Sequence, residues 1–127
     1  MAVILIVEDE LQVRVLVQTA FEEAGYETLT AATVNEAVAV IETDRPMDLV
    51  FTDIGLLEET EGGIKVGQAA AQSRPRVPVL YTSGRGVTDG MRALFAQPNG
   101  FLPKPYVIDD VLKAVGALLE VPAEGPS

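Results

Sequence analysis

The stretch VILIVEDE, residues 3–10, decides how the rest of the chain is read. Five apolar residues run without alternation, and three acids follow at once. A strand with one wet face alternates apolar and polar side chains. An unbroken Val/Ile/Leu run is instead buried on both faces, as in a parallel sheet covered by helices on both sides. The run is far shorter than the ~20 apolar residues of a membrane span. It also lacks the basic start and small-residue cleavage site of a secretory signal. Glu8, Asp9 and Glu10 then stand at the carboxyl end of a central strand.

Outward from that strand, apolar runs and amphipathic stretches take turns. The spacing predicts a helix over 11–25, with Leu11, Val15, Ala20, Phe21 and Ala24 on one inward stripe and Gly25 closing it. Asp9 is expected to help cap that helix. YETLT (26–30) alternates like an edge strand. A helix follows over 33–44, where Thr33 and Glu36 form a capping box. Further strands are predicted at 48–52, 77–82 and 100–102, and further helices at 63–73, 88–97 and 107–120. Gly67 weakens the first of these helices. The last presents Val111, Leu112, Val115, Leu118 and Leu119 inward. Strict alternation of five strands and five helices predicts an α/β fold: a flavodoxin-like (βα)5 doubly wound sandwich, its parallel sheet in order 2-1-3-4-5. Residues 1–120 form the expected domain and 121–127 a flexible tail.

Composition limits the chemistry. The 127 residues contain neither cysteine nor histidine, which removes thiolate metal sites, cysteine nucleophiles and the usual general base. A net charge of −10 disfavours direct binding to nucleic acid or to anionic membranes. Cytoplasmic location is the default expectation. Whatever chemistry occurs must use carboxylates, hydroxyls and lysine.

In open parallel sheets ligands sit beyond the carboxyl ends of the strands, where the strand order reverses. Those ends carry Glu8-Asp9-Glu10, Thr52-Asp53, Thr82-Ser83-Gly84 and Pro103-Lys104-Pro105. Each motif alone is commonly a helix cap, a turn or a solvated surface. Four of them at one rim are a site. Crowded carboxylates call for a hard cation, and Mg2+ uses one or two carboxylates and completes its shell with water and phosphate oxygen. That predicts phosphoryl chemistry, with Asp53 as acceptor, Lys104 on the phosphoryl oxygens and Ser83 as hydrogen-bond donor.

These residues resemble the receiver domain of two-component response regulators, of the stand-alone type, over about Val3 to Leu119. PVLYTSG and FLPKPY are similar to the versions found in many single-domain and hybrid-kinase receivers. The resemblance implies phosphorylation of Asp53 by a histidine kinase or a histidine phosphotransfer protein. It implies Mg2+ held by Glu8, Asp9, Asp53 and the Gly55 carbonyl, and a cis Lys104–Pro105 bond aiming the ammonium. It makes Ser83 and Phe101 the switch pair that reshapes the face formed by the fourth helix, fifth strand and fifth helix. A downstream protein, or a second copy in a homodimer, is expected there. Gly55 and Arg85 occupy the positions that tune phosphoryl lifetime.

Leu57 stands where the family usually has proline. The 55–63 loop is about a residue longer than usual and carries Glu58, Glu59 and Glu61, a solvated acidic loop or a screen that tunes donor and cation binding. GRGVTDG (84–90) lacks the dinucleotide glycine spacing and follows the wrong strand. With no output domain expected after residue 120, the chain is read as a phosphoacceptor switch acting through protein contacts, not as an enzyme beyond loss of its own phosphoryl group. A phosphate sink or shuttle shares that chemistry. The rivals are a pseudo-receiver binding module and a Mg2+-dependent phosphohydrolase with an aspartate nucleophile. The latter group carries D-x-D where Glu8-Asp9-Glu10 stands here.

Overall fold

A computed structural model describes residues 1–56 and 59–120. The strands are β1 (Val3–Val7), β2 (Glu27–Ala31), β3 (Leu49–Asp53), β4 (Val79–Ser83) and β5 (Asn99–Pro103). They alternate with α1 (Leu11–Glu23), α2 (Val34–Ile41), α3 (Gly62–Ser73), α4 (Asp89–Arg92) and α5 (Ile108–Glu120). All pairings are parallel and the sheet order is β2-β1-β3-β4-β5, as the alternation predicts. Every residue of β1, β3 and β4 is buried, whereas β2 and β5 are edge strands with partly exposed side chains. The tail expected at 121–127, and Leu57 and Glu58 of the acidic loop, lie outside the described residues.

Two cores flank the sheet. Val7, Val50, Val79 and Tyr81 point toward α2 and α3. Ile6, Phe51, Leu80 and Val17 join Val111 and Val115 on the side of α1 and α5. Leu112, Leu118 and Leu119 pack against that second core as the α5 stripe predicts.

The α1 stripe differs from expectation. Leu11 and Val15 are exposed at 62% and 49%, and the helix buries Val17 and Phe21 with Val13 beside them. Residues 13, 15, 16 and 17 are all apolar, so the period admits two stripes and only the sheet's position chooses. Asp9 does not cap α1. The N-cap is Glu10, with no side-chain hydrogen bond. Gly25, at φ +96°, follows the C-cap Ala24 as expected for a left-handed glycine terminator. The α2 box is made by Thr33 Oγ1, which accepts from Glu36 N at 3.1 Å, and by the Glu36 carboxylate, which accepts from Ala32 N at 2.8 Å.

The helix predicted over 88–97 shrinks to one turn, 89–92. Phe95 and Ala96 leave the helix to enter the core. The Phe95 ring stacks on Tyr81 at 4.0 Å between centroids, and Ala96 N donates to the Tyr81 phenol at 2.8 Å. Burying an aromatic ring and pairing a buried phenol outweigh the modest propensity of a segment interrupted by Gly90. Room for that phenol comes from Gly67, where an added Cβ would collide with the Tyr81 hydroxyl. The glycine that weakens α3 in sequence is therefore the helix's point of closest approach to the sheet.

Gly67→Ala should accordingly destabilise the fold by about 1–3 kcal/mol, the usual cost of overpacking a filled core, despite alanine's better helix propensity. Urea unfolding measures this. Gly67→Ala combined with Tyr81→Phe should recover part of the loss; an unchanged midpoint in the single variant would contradict the packing.

Candidate functional site

Parallel register brings the strand ends level. Val7 pairs with Thr52, Asp53 with Thr82, and Ser83 with Pro103, so Glu8, Asp53, Ser83 and Lys104 emerge at one rim. They border an open cleft of about 700 Å³ lined by Asp9, Asp53, Glu61, Ser83, Arg85 and Lys104, among others.

Lys104 organises this rim. Its Nζ donates to Asp53 Oδ2 at 2.8 Å and to Glu8 Oε1 at 3.1 Å. The Lys104–Pro105 peptide is cis, as is Gln97–Pro98. Lys104 N donates to Ser83 O at 2.8 Å, which fastens the end of β5 to β4. The remaining Glu8 oxygen, Oε2, accepts from Glu10 N at 3.1 Å. Arg14, reaching back from α1, donates to Glu8 O at 2.8 Å. Gly63 opens the first turn of α3 against the acceptor strand: its N–H donates to Ile54 O at 2.8 Å, and an added Cβ would strike the Asp53 carbonyl.

Burial raises the Glu8 carboxyl above the usual range, against the opposing pull of the Glu10 N–H and of Lys104. Burial likewise raises Asp53, partly offset by hydrogen bonding and attraction to Lys104. For Lys104 burial acts the other way, favouring loss of the proton. The two carboxylates outweigh it and hold the ammonium above the usual lysine range. The Tyr106 phenol, two residues on, is pushed up to about 12, first by burial, against the pull of Lys104 and with smaller contributions from the Glu8 and Asp53 charges.

One oxygen each from Glu8, Asp9 and Asp53 lies within 4.8 Å of the others. Three hard oxygen donors at that spacing fit a Mg2+-sized cation that keeps part of its water shell. Asp9 and Asp53 face the cleft, whereas Glu8 is 3% exposed with both oxygens already engaged by protein donors. The structure thus brings together Glu8, Asp9, Asp53, Ser83 and Lys104, with Gly55 and Arg85 on the cleft wall. Ser83 is buried, and its Oγ accepts from Arg85 N at 3.0 Å. Phe101 is apart from the cleft. It packs 6.3 Å from Phe95, with the Arg92 guanidinium 5.0 Å from its ring centre. In the acidic loop, Glu59 pairs with Lys65 at 2.6 Å, and Thr60 and Glu61 line the cleft.

Sequence reasoning missed Arg14, whose place in α1 gives no sign that it reaches a strand carbonyl. It also missed Gly63, whose need for a bare Cα follows only from the approach of α3 to Asp53. Thr82 was visible as a polar strand end but carried no role of its own.

The family model described as the response regulator receiver domain matches residues 4–116. The nitrogen assimilation regulatory protein NtrX of Azorhizobium caulinodans is 32% identical over 118 residues, covering 92% of this chain and 26% of that protein. The phosphate regulon transcriptional regulatory protein PhoB of Pseudomonas aeruginosa is 31% identical over 127 residues, covering 98% of this chain and 54% of that protein. The chain therefore spans from a quarter to about half of the length of these curated relatives. The crystal structure of a response regulator receiver protein from Sinorhizobium medicae superposes with a TM-score of 0.87 over 97% of both chains, at 23% identity, a likeness of fold. With its rim of Asp53, Glu8, Asp9 and Lys104 and a family match spanning residues 4–116, this chain belongs to the response regulator receiver domain family.

Proposed function

We propose that the chain is a phosphoacceptor switch: Asp53 takes a phosphoryl group from a phosphohistidine on a kinase or phosphotransfer protein. The observation that carries this is the bridging of Asp53 and Glu8 by the Lys104 ammonium at a cleft also faced by Asp9. An Asp53 oxygen attacks phosphorus, the phosphorus–nitrogen bond breaks, and its electron pair returns to the donor imidazole. Burial opposes ionisation of Asp53, and Lys104 keeps a cation beside it so that the nucleophilic carboxylate persists at neutral pH. Asp9 and Asp53, supported by Glu8, would hold Mg2+, which when bound supplies neutralisation of the phosphoryl oxygens. Ser83 stands on the other wall to hydrogen-bond a phosphoryl oxygen.

Phosphorylation would be read out through Phe101 and the surface of β5 and α5, with α4 contributing only one turn. Turnover of an external substrate is not part of this function; loss of its own acyl phosphate is. A net charge of −10 disfavours direct contact of this chain with nucleic acid. Among the described residues no helix is long and apolar enough to cross a membrane, and a cytoplasmic setting suits a kinase-fed acceptor.

Incubation with a small phosphodonor and Mg2+ should give base-labile phosphate incorporation on a phosphate-affinity gel. The signal should vanish in Asp53→Asn and on chelation of Mg2+. Acid-stable label, or label persisting in Asp53→Asn, would exclude the acyl-phosphate assignment.

Stability should follow the carboxyls. Their folded pKa values lie above the unfolded ones, so their contribution is complete below the ordinary carboxylate range and is lost as pH rises through the raised values. Glu8→Gln removes one of these charges while Lys104 keeps Asp53. In metal-free protein it should raise the melting temperature at neutral pH by about 2–6 °C, with a smaller gain near pH 4. It should also shrink the stabilisation that Mg2+ brings to the wild type. Thermal melts across that range, with and without Mg2+, check both signs.

A further inference from the structure

Thr82 is only 1% exposed, and its Oγ1 has no hydrogen-bond partner among the described residues. Its place is defined by the sheet. Asp53 and Thr82 are opposite one another in the parallel register, as are Thr82 and Leu102. Paired residues share a face, and Phe51, Leu80 and Leu102 all belong to the core on the side of α1 and α5. The Thr82 side chain therefore leaves the sheet on the same side as Asp53.

Lys104 stands just beyond the end of β5, yet its ammonium reaches Asp53 at the end of β3 and Glu8 just beyond β1. In the order β1-β3-β4-β5, β4 lies between. The lysine stem must cross the end of β4, where Thr82 is the last residue on that face within the strand. An added Cβ on Gly84, two residues further, would come within 3.9 Å of Lys104 Cβ, which places the base of the stem over this strand end.

The ammonium has three protons, and its two protein acceptors are the carboxylates that a divalent cation would claim. Cation and ammonium on the same carboxylates repel. The ammonium, on a side chain 22% exposed at the cleft, therefore needs a further acceptor when the cation arrives, and the unpartnered Thr82 hydroxyl is a buried one on its side of the sheet. We propose that Thr82 is a positioning residue for Lys104: its hydroxyl receives the ammonium as Asp53 and Glu8 turn to the cation. This rests on the cation-dependent function proposed above but assigns a role to a different residue. Ser83, one position on, leaves the strand on the opposite face, and its Oγ already accepts from Arg85 N at 3.0 Å. Tyr106 is the nearest rival, because its buried hydroxyl also lacks a partner among the described residues.

The test is Mg2+ affinity by calorimetry, using the full chain and its Thr82→Val, Thr82→Ser and Tyr106→Phe variants. Thr82→Val and Thr82→Ser are repeated in a Lys104→Met background. Thr82→Val is nearly isosteric and discards a hydroxyl without a partner in the metal-free state, so its metal-free melting temperature should equal or exceed the wild type's. Its Mg2+ affinity should fall about three- to tenfold, as for loss of a hydrogen bond to a charged group. Thr82→Ser should bind like wild type, and the valine effect should disappear once Lys104 is methionine. Unaltered affinity in Thr82→Val overturns the proposal. So does an equal loss in the Lys104→Met background, or a loss confined to Tyr106→Phe. If the wild type itself binds no Mg2+, the functional reading fails and this inference falls with it; the other negative outcomes leave that reading standing.

Discussion

One buried cation holds the carboxyl edge of this sheet together. Glu8 and Asp53 leave adjacent strands side by side, both largely out of water, and two such charges alone would drive protonation or open the edge. Lys104 crosses β4 to pair with both. The same contact joins the last strand to the first and third, so the residue that neutralises the site also closes the fold around it. Removing the shared cation is costlier than the set's net contribution to stability, because it leaves two buried charges unpaired, whereas removing one carboxylate leaves the other still paired.

The second constraint is aromatic. Tyr81 fills the centre of one core, stacks on Phe95 and takes the Ala96 N–H, while Gly67 gives it room. Through Phe95 the stack continues to Phe101, and the Arg92 guanidinium covers that ring at 5.0 Å. Tyr81 is two residues before Ser83 on the same strand and shares its face. The strand that carries Ser83 and the Phe101 ring on β5 are therefore linked by packed rings, not by a long fourth helix. That is why α4 ends after one turn: its would-be second half is core.

Much of this was open to inspection in the chain itself. VILIV with its acids announced a central parallel strand and a polar rim, and the alternation of elements left few sheet orders available. Asp53, Ser83 and Lys104 were legible because each is a polar residue at the end of an apolar run. Elsewhere the signal was ambiguous. In α1 the apolar residues offer two stripes, and the choice of Val17 and Phe21 over Leu11 and Val15 belongs to the sheet. The 88–97 segment reads as a helix locally because nothing local says that Phe95 has a tyrosine to stack on.

The sequence by itself determined the order of strands and helices, the identity of the rim residues and the kind of chemistry open to a chain without histidine or cysteine. These follow from residue type and short-range period. The tertiary structure alone decided that Glu8 turns both oxygens inward, that Lys104 spans β4, that the Thr82 hydroxyl is buried without a partner among the described residues, and that Gly63 and Gly67 are contact points. Those facts depend on residues far apart in sequence meeting at van der Waals distance, and no local pattern encodes which partner will be there.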